Sequence, residues 1–284
     1  MSNHEERERE ENLEKILLSP SYRIAFKDVD FLTDSSLRPV RMQLELLKPE
    51  LIFERNNIDS TIVVFGSTRI TEPALAKRNL ERAKAWLADT PDDPRRRRVV
   101  ARAERLYANS QYYEKAREFG RLVSVHSQHN KRREYVIVTG GGPGIMEAAN
   151  RGASEVSAKS VGLNIHLPME QFPNSYITPE LCFQFQYFAM RKFHFLLRAK
   201  ALVVFPGGYG TLDELFDALA LRQTGRMQDI PIIIFGREYW ERVVNFQFLA
   251  DEGVIDDDDL DLISYAETPE EAWKIVLKFH QEEP

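Results

Sequence analysis

The most regular feature of the chain is a set of short, continuous runs of β-branched and aromatic residues, each bounded by glycine, proline or polar residues. Such runs are typical of strands that are buried on both faces of a parallel sheet. The runs cover residues 61–65, 135–139, 161–165, 201–205 and 230–235. They predict the strands of one sheet, and alternating aromatic residues at 183, 185 and 187 suggest a further strand face.

Stretches with the apolar spacing of a helix separate most of these runs, and they cover residues 145–156, 211–222 and 239–250. Strands that alternate with helices form βαβ units, which build a parallel sheet with helices on both faces. The pattern therefore predicts an α/β fold, a Rossmann-like doubly wound parallel sheet.

The N-terminal segment lacks this alternation. Residues 1–12 are nearly all charged or polar and predict a solvated tail or a frayed helix. Over residues 13–53, short apolar groups are broken by residue–proline pairs, the last of which is Lys48-Pro49, and this predicts short helices and turns without strands. We predict an N-terminal helical arm, residues 1–55, packed on a catalytic domain, residues 56–284.

About seventy residues separate the first two predicted strands, which is far more than a single crossover needs. We therefore predict a helical insertion over about residues 70–130. Within it, Asp92-Asp93-Pro94 has the form of a helix start, with aspartate at the N-cap and proline in the first turn. The arginine run at 95–98 follows directly, and we expect a solvated helix face there rather than a ligand or nucleic-acid patch.

Composition excludes several classes of protein. The formal net charge of -6 disfavours a surface that tracks nucleic acid or anionic lipid, although it allows a local phosphate pocket. Cys182 is the single cysteine, so neither an intrachain disulfide nor a cysteine-based metal site is expected. No stretch approaches the ~18 apolar residues of a membrane span, and the N-terminus lacks the pattern of a signal peptide. We expect a cytoplasmic protein.

No metal site is expected from the remaining ligand types either. His166 and His194 lack metal-ligand spacing to other histidines or acids, so we expect structural roles for both. The acidic run at 256–259 lacks the glycine and glutamate positions of a calcium loop and predicts a solvated turn.

The first chemical signal is a glycine-rich loop in the sequence VTGGGPGIME, residues 138–147, between a predicted strand and a predicted helix. Glycines let backbone N–H groups approach an anion, and a helix N-terminus adds unpaired donors and a positive dipole end. We expect Gly140, Gly141, Gly142 and Gly144 to contact a phosphate. Because glycine also serves tight strand-to-helix turns, this loop alone leaves a purely structural role open.

A second glycine loop, FPGGYGTLDE at residues 205–214, has the same strand-to-helix context. If the strands are neighbours, both loops lie at the carboxyl edge of the sheet and converge on one phosphorylated ligand. Neither loop has the GxxxxGK[ST] pattern of nucleoside triphosphatases or the GxGxxG pattern of dinucleotide sites. Triphosphate hydrolysis and hydride transfer are therefore disfavoured.

These motifs together resemble a known family. PGGYGTLDE at 206–214, TGGGPGIMEAAN at 139–150 and Met190-Arg191-Lys192 are similar to the motifs of the LOG family, phosphoribohydrolases often labelled lysine decarboxylases. The similarity spans about residues 60–266. It implies a Rossmann-like homo-oligomer, most simply a homodimer, that cleaves AMP or N6-modified AMP without a cofactor. Members that activate cytokinins commonly carry Met-His-x-Arg-Lys, and the histidine is absent here, which favours general nucleotide turnover.

Carried over by motif position, the resemblance makes Arg191 and Glu214 the catalytic pair. It assigns substrate binding to the glycine loops and their neighbours, namely Gly140, Gly141, Gly142, Gly144, Met190, Lys192, Gly207, Gly208, Tyr209, Gly210 and Thr211. Ser67, directly after the first strand, is a further candidate to contact ribose or phosphate, with a role as a turn residue equally open. Lys192 is also open to a purely solvated role.

The chemistry of N-glycosidic cleavage explains why a carboxylate and an arginine suit this site. The transition state resembles an oxocarbenium ion, so it needs negative charge near the sugar and a positioned water molecule. We expect Glu214 in the first turn of its helix, where the dipole keeps the carboxylate ionised, with Asp213 as the second choice. Arg191 offers a planar, charged fork for phosphate, ribose or Glu214 itself.

Aromatic residues are concentrated between 183 and 198. We expect them to form core or a subunit interface of a homodimer or larger even oligomer, with one ring available to stack on a base.

Two other functions compete with the hydrolase. The first is a non-catalytic carrier of a nucleotide or phosphorylated cofactor, because the same fold binds such ligands without cleaving them. Glu214 with Arg191 favours the enzyme. The second, an amino-acid decarboxylase, lacks a lysine in a recognisable pyridoxal phosphate context.

Overall fold

A parallel β-sheet is the framework of the computed structural model, which describes residues 3–128, 133–167 and 172–281. Over these residues the sheet has seven strands, all parallel, in the order β4-β3-β2-β1-β5-β6-β7. The strands are β1 Thr61–Phe65, β2 Val136–Thr139, β3 Ser160–Ile165, β4 Cys182–Phe185, β5 Ala199–Val204, β6 Ile232–Phe235 and β7 Ile263–Ala266.

The five strands predicted from apolar runs are confirmed, since β1, β2, β3, β5 and β6 fall on those runs. The alternating aromatic segment forms β4, with Phe183 and Phe185 buried. Strand β7 is an element that the sequence pattern did not predict. Its four residues, Ile-Ser-Tyr-Ala, lie at the edge of the sheet and are mostly half-buried, so they lack a continuous apolar run.

The chain divides into two compact units, Met1–Lys48 and Pro49–Pro284. The described residues of the first unit form helices joined by short turns, without a strand, which agrees with the predicted pattern. It contains α1 Asn3–Leu18, α2 Val29–Thr33, the start of α3 Arg38–Arg55, and short 3-10 helices at Pro20–Tyr22, Ala25–Lys27 and Ser35–Leu37.

The predicted break at Lys48-Pro49 is wrong, because α3 runs through it with Pro49 inside the helix. Proline removes one backbone hydrogen bond from a helix interior, a cost that burial on a packed face offsets. Pro49 is buried, and Phe53, one turn later, belongs to the hydrophobic cluster on one face of the sheet.

Helices of the second unit follow the strands in the order expected for a doubly wound fold. They are α4 Pro73–Ala88, α5 Pro94–Asn109, α6 Gln111–Ser127, α7 Ile145–Glu155, α8 Phe188–Leu197, α9 Tyr209–Gln223, α10 Arg237–Val243, α11 Phe246–Asp251 and α12 Pro269–His280, with 3-10 helices at Pro179–Leu181 and Asp257–Leu262. The helical insertion is confirmed as α4, α5 and α6. Asp93 caps α5 as expected, accepting hydrogen bonds from the N–H groups of Arg95 and Arg96.

The single helix predicted over residues 239–250 is instead two helices, α10 and α11. Val244 has extended backbone dihedrals, and the side chain of Asn245 accepts a hydrogen bond from the N–H of Phe248 to start α11. An asparagine cap competes with helix continuation, and apolar spacing alone does not reveal this.

Two hydrophobic clusters cover the two faces of the sheet. Helices α6, α7 and α12 pack on one face, where Phe119 and Val276 are fully buried. The C-terminal part of α3 and helices α8, α9 and α10 pack on the other face, where Phe195, Leu215 and Trp240 are buried. This arrangement confirms the predicted Rossmann-like doubly wound sheet. Within the described ranges no helix has the length and apolar character needed to cross a membrane.

Close packing of α6 against α7 depends on Gly152. A Cβ atom at this position would lie 1.9 Å from the carbonyl oxygen of Arg117 and 2.7 Å from the backbone nitrogen of Arg121. We expect Gly152→Ala to lower the free energy of unfolding by about 1–3 kcal/mol, because the helices must separate to admit the methyl group. Urea denaturation measures the change.

The matched control is Ser154→Ala on the exposed side of α7, which we expect to change stability by less than about 0.5 kcal/mol. Equal stability of Gly152→Ala and the wild type would show that the two helices do not pack at this distance.

Candidate active site

The candidate site lies at the carboxyl edge of the sheet, where the strand order reverses. Strand β1 pairs with β2 on one side and with β5 on the other, so the loops after these three strands are neighbours. Backbone hydrogen bonds join the loops: Ser67 N–H donates to Pro206 O at 3.0 Å, and Ile145 N–H donates to Ser67 O at 3.1 Å. A reversal of this kind is where open α/β sheets form their ligand crevice.

An open cleft of about 530 Å³ occupies this edge. Its wall comes from the loop after β1, the start of α9, and one side each of α7 and α8. The lining residues are Phe65, Gly66, Ser67, Thr68, Arg69, Met146, Phe188, Arg191, Gly208, Tyr209, Gly210, Thr211, Asp213 and Glu214. Cationic, anionic and backbone donor groups therefore share one cavity of nucleotide size.

The cleft brings together about half of the residues singled out from the sequence. Ser67, Arg191, Glu214 and the 208–211 segment all line it. The other candidates, which do not line this cleft, are Gly140, Gly141, Gly142, Gly144, Met190, Lys192 and Gly207. The first glycine loop is buried behind the cleft wall, except for Pro143.

The first glycine loop packs directly against the loop after β1. Gly144 precedes α7 with φ of 75°, and a Cβ atom there would lie 2.4 Å from the carbonyl oxygen of Ser67. Only glycine combines this backbone conformation with such a close approach. Gly144 thereby lets α7 begin directly beside Ser67.

A buried network of amide and hydroxyl groups holds the same loop from behind. The Asn174 side-chain amide donates to the carbonyl oxygens of Gly141 and Gly142 at 3.2 and 3.1 Å, and to Asn150 Oδ1 at 3.0 Å. Thr139 Oγ1 donates to the same Asn150 oxygen at 2.7 Å and accepts from Gly141 N–H at 3.0 Å. Since buried polar groups are costly unless paired, this network fixes the loop in one conformation.

Sequence reasoning did not identify this network. Asn150 was visible as the last residue of the TGGGPGIMEAAN motif, where a buried amide inside an apolar helix face is a usable signal. Asn174 comes from a segment after β3 and carries no local pattern. The cleft residues Thr68, Arg69 and Met146 were also missed, because each lies next to a motif without being part of it.

The second glycine loop ends in an uncapped helix. Gly208 is the N-cap of α9 and provides no side-chain cap, and residues 208–211 line the cleft. The N–H groups of Thr211 and Leu212 both donate to Gly208 O at 3.0 Å, so Tyr209 and Gly210 carry the N–H groups that precede this hydrogen bonding. Unpaired N–H groups at a helix N-terminus form an anion-binding site. Tyr239 supports this loop from below, because its hydroxyl donates to Gly207 O at 2.6 Å.

Arg191 is held in place by backbone carbonyls. Its Nε donates to Leu163 O at 2.7 Å, and its Nη2 lies 3.5 Å from Gly140 O. The guanidinium also lies over the ring of Phe195, with 5.0 Å between the guanidinium carbon and the ring centroid. Burial lowers the pKa of Arg191, and the Glu214 carboxylate opposes this shift. Arginine remains charged in such settings, so Arg191 brings a fixed positive charge to the cleft.

Glu214 is the acid with the most perturbed pKa in the site. Burial raises the pKa of Glu214 to about 7; Lys192 and Arg191 oppose the shift, and Asp213 and Asp217 reinforce it. A carboxyl group with this pKa exists in both protonation states near neutral pH, as general acid–base catalysis requires.

The expectation that a helix N-terminus keeps Glu214 ionised is wrong. Helix α9 begins at Tyr209, so Glu214 is its sixth residue and lies in the second turn, beyond the strongest influence of the dipole. Desolvation outweighs the nearby positive charges and raises the pKa instead.

Lys192 is engaged by two other acids of α9. Its Nζ lies 3.0 Å from Asp213 Oδ1 and 3.6 Å from Asp217 Oδ2. Asp213 is exposed and Lys192 does not line the cleft. This ion-pair group joins α8 to α9 beside Glu214, so its total charge influences the pKa of the Glu214 carboxyl group.

The aromatic segment from 183 to 198 divides between core and surface. Phe183, Phe185 and Phe195 are buried, whereas Phe188 and Phe193 are about half exposed. Phe188 lines the cleft, in reach of a planar ligand. The subunit interface expected at this segment stays a prediction.

The structure also shows the surroundings of His194, for which the sequence predicts a structural role. His194 is buried, with Nδ1 3.7 Å from Glu50 Oε1, and Glu50 also pairs with Arg198 at 2.7 Å. The described part of the chain contains no group of three or more histidine, cysteine, aspartate or glutamate residues able to hold a metal ion.

The raised pKa of Glu214 has a consequence for stability. The pKa is about 7 in the folded protein and near 4.5 in an unfolded chain, so the folded state binds more protons between these values. Stability therefore falls as the pH rises from 4.5 to 7 and stays lower above 7. We expect Glu214→Gln to be more stable than the wild type by about 1–3 kcal/mol at pH 8, with the difference vanishing near pH 4.5.

Thermal and urea denaturation at several pH values measure this difference, with Glu252→Gln, an exposed acid-to-amide change, as the control. A stability difference that does not depend on pH would contradict the raised pKa.

Comparisons with known proteins support the motif resemblance. Residues 146–276 match the model of a protein family described as "Possible lysine decarboxylase". A search of curated proteins gave no significant match. Two similar solved structures are the molybdenum cofactor binding protein from the phototrophic bacterium Rippkaea orientalis and TM1055, a structural genomics target. The first has 18% identity and a TM-score of 0.43, covering 59% of this chain and 87% of that chain. The second has 20% identity and a TM-score of 0.44, covering 77% and 99%.

The matched region contains the second glycine loop, Arg191 and Glu214, which belong to two of the three motifs that carry the resemblance noted from the sequence; the first glycine loop, residues 140–144, precedes it. Over residues 146–276 the chain is therefore similar to the family described as possible lysine decarboxylases, the same family that the LOG motifs indicate.

Proposed function

We propose that the protein is a nucleoside 5′-monophosphate phosphoribohydrolase that cleaves the N-glycosidic bond of AMP or a related purine nucleotide. The observation that carries the proposal is the Glu214 carboxyl group, with a pKa of about 7, in one cleft with Arg191 and an uncapped helix N-terminus. Together these groups supply an acid–base group, a fixed cation and an anion cradle.

Phosphate recognition is assigned to the start of α9. This N-terminus has no side-chain cap, and its residues 208–211 line the cleft together with Ser67 and Arg69 from the loop after β1. Backbone donors and the positive dipole end favour a dianionic phosphate at this position. The first glycine loop then has a supporting role: its buried backbone holds Ser67 and Arg191 in position through Ile145 N–H and Gly140 O.

The proposed reaction replaces the bond between ribose C1′ and the base nitrogen by a bond from C1′ to a water oxygen. The base leaves with the bonding electron pair and takes up one proton, while the water loses one. As the bond breaks, positive charge develops on the ribose ring. The ionised Glu214 stabilises that charge and accepts the proton from water, which its pKa near 7 makes favourable at neutral pH.

Arg191 acts by position and charge. Two of its donors are bound to Leu163 O and Gly140 O, so its guanidinium is fixed before a ligand arrives. A fixed cation beside Glu214 favours the ionised carboxylate and orients ribose hydroxyls or phosphate. Phe188, half exposed in the cleft wall, offers an apolar surface for a purine ring.

The proposal includes a cytoplasmic homo-oligomer. Phe193 and Leu197 leave apolar surface exposed on α8, the helix that carries Arg191, and a partner subunit is the occupant that the family resemblance implies.

Removal of the Glu214 charge tests the chemical role. We expect Glu214→Gln to lower the rate of AMP cleavage at least about 100-fold while leaving AMP affinity within about tenfold, because the charge acts mainly in the transition state. Release of free base gives the rate, and calorimetry with the intact protein gives the affinity.

Glu252→Gln is the matched control, since it makes the same acid-to-amide change at an exposed position that does not line the cleft. If Glu214→Gln keeps full turnover and Asp213→Asn loses it, the chemical role belongs to Asp213 instead.

The phosphate requirement provides a second test. We expect each purine nucleoside monophosphate that is cleaved to exceed its nucleoside in kcat/KM by at least about 100-fold, because a nucleoside cannot use the binding energy of the phosphate cradle. The assay follows free base and ribose 5-phosphate for a panel of nucleotides and nucleosides.

Equal rates on adenosine and AMP would refute the assignment of phosphate to α9. Tight AMP binding without release of base from any nucleotide would favour the rival function, a non-catalytic nucleotide carrier.

A further inference from the structure

Four arginines surround a second concavity next to the cleft. Arg98, Arg102 and Arg105 project from α5 at positions i, i+4 and i+7, and Arg69 comes from the loop after β1. With Ala101 and Leu106 they line a groove of about 450 Å³. Arg69 lines both cavities, so the groove and the cleft adjoin.

The four side chains are not used within the described part of the protein. All are exposed, and none of them forms an ion pair with a described acid. Their neighbours on α5 differ: Arg96 packs over the ring of Trp86 and lies near Asp89 and Asp93, and Arg97 pairs with Asp92.

The lack of an ion pair between these arginines and any acid of the described ranges is significant in a chain of net charge -6, where acids are abundant. Four guanidinium groups around one small groove repel one another, and an anionic ligand relieves this repulsion. Planar arginine forks suit phosphate oxygens in particular, because they donate two parallel hydrogen bonds.

The size of the groove limits the ligand. From Arg98 to Arg105 the helix rises about 10 Å, which suits a chain of two or three linked phosphates. A nucleic-acid strand needs a longer basic track, and the groove ends within two turns of one helix.

We propose that Arg69, Arg98, Arg102 and Arg105 form a second anion site that binds a di- or triphosphate chain next to the cleft. The phosphate chain has two sources: a separate small ligand, or the distal phosphates of a nucleotide that also occupies the cleft. The site does not depend on the proposed hydrolase activity, since binding is measurable without turnover.

Calorimetric titration of the full chain with inorganic tripolyphosphate tests the site. The test variant is the triple change Arg98→Gln, Arg102→Gln and Arg105→Gln. The control is the triple change Arg78→Gln, Arg82→Gln and Arg95→Gln, which removes the same charge from exposed positions of α4 and α5 outside the groove. We expect the affinity for tripolyphosphate to fall at least about thirtyfold in the test variant and less than about threefold in the control.

Titration with and without saturating AMP separates the two sources. Unchanged tripolyphosphate affinity in the presence of AMP, without a gain in affinity for nucleoside triphosphate over AMP, supports a separate ligand. The second source is supported if a nucleoside triphosphate binds more tightly than AMP and only the test variant loses this difference. The phosphate chain then belongs to a nucleotide that also occupies the cleft.

Equal losses in the two triple variants would overturn the proposal, because they would reflect net charge alone. Absence of tripolyphosphate binding by the wild type at low salt would also overturn it. Binding of a 20-nucleotide single strand in preference to tripolyphosphate, lost in the test variant, would replace it by a nucleic-acid site.

Discussion

The candidate site depends on the pairing of one central strand with two neighbours from different parts of the chain. Strand β1 pairs with β2 and β5, and the loops that follow these strands are joined by backbone hydrogen bonds through Ser67, Pro206 and Ile145. Without this pairing, the two glycine loops would lie at unrelated places. With it, the N-termini of α7 and α9 meet at one edge, and Arg191 reaches the carbonyl oxygen of Gly140.

The chemistry of the cleft carries a cost in stability. Glu214 is held where burial raises its pKa, although Arg191 and Lys192 lie close enough to oppose the shift. A carboxylate that is fully paired would be more stable, but it would no longer change protonation near neutral pH. Lys192 forms ion pairs with Asp213 and Asp217, so its positive charge only partly offsets the negative charge of the Glu214 carboxylate.

Sequence patterns predicted the parts of this architecture that depend on local order. Continuous apolar runs identified β1, β2, β3, β5 and β6, because strands buried on both faces leave little room for polar residues. The motif around Glu214 predicted a second loop between a strand and a helix, which the structure places at the cleft. Strand β7 and the division of α10 from α11 were missed, since an edge strand and an asparagine cap leave weak periodic signals.

The features that sequence could not provide arise from contacts between distant segments. Asn174 lies more than thirty residues from the carbonyl groups that it binds, and the pKa of Glu214 follows from burial by the whole fold. The arginine groove is a similar case. The arginines at 95–98 form a continuous block in the sequence, but Arg98 alone of that block lines the groove, together with Arg102 and Arg105 one and two turns later.

The network behind the first glycine loop consists of two asparagines, a threonine and backbone groups, none of which changes charge between pH 4 and 10. The wall that holds Ser67 and Arg191 therefore keeps its shape across the range in which Glu214 titrates. The cleft therefore combines a supporting wall that does not respond to pH with a single carboxyl group, Glu214, that does.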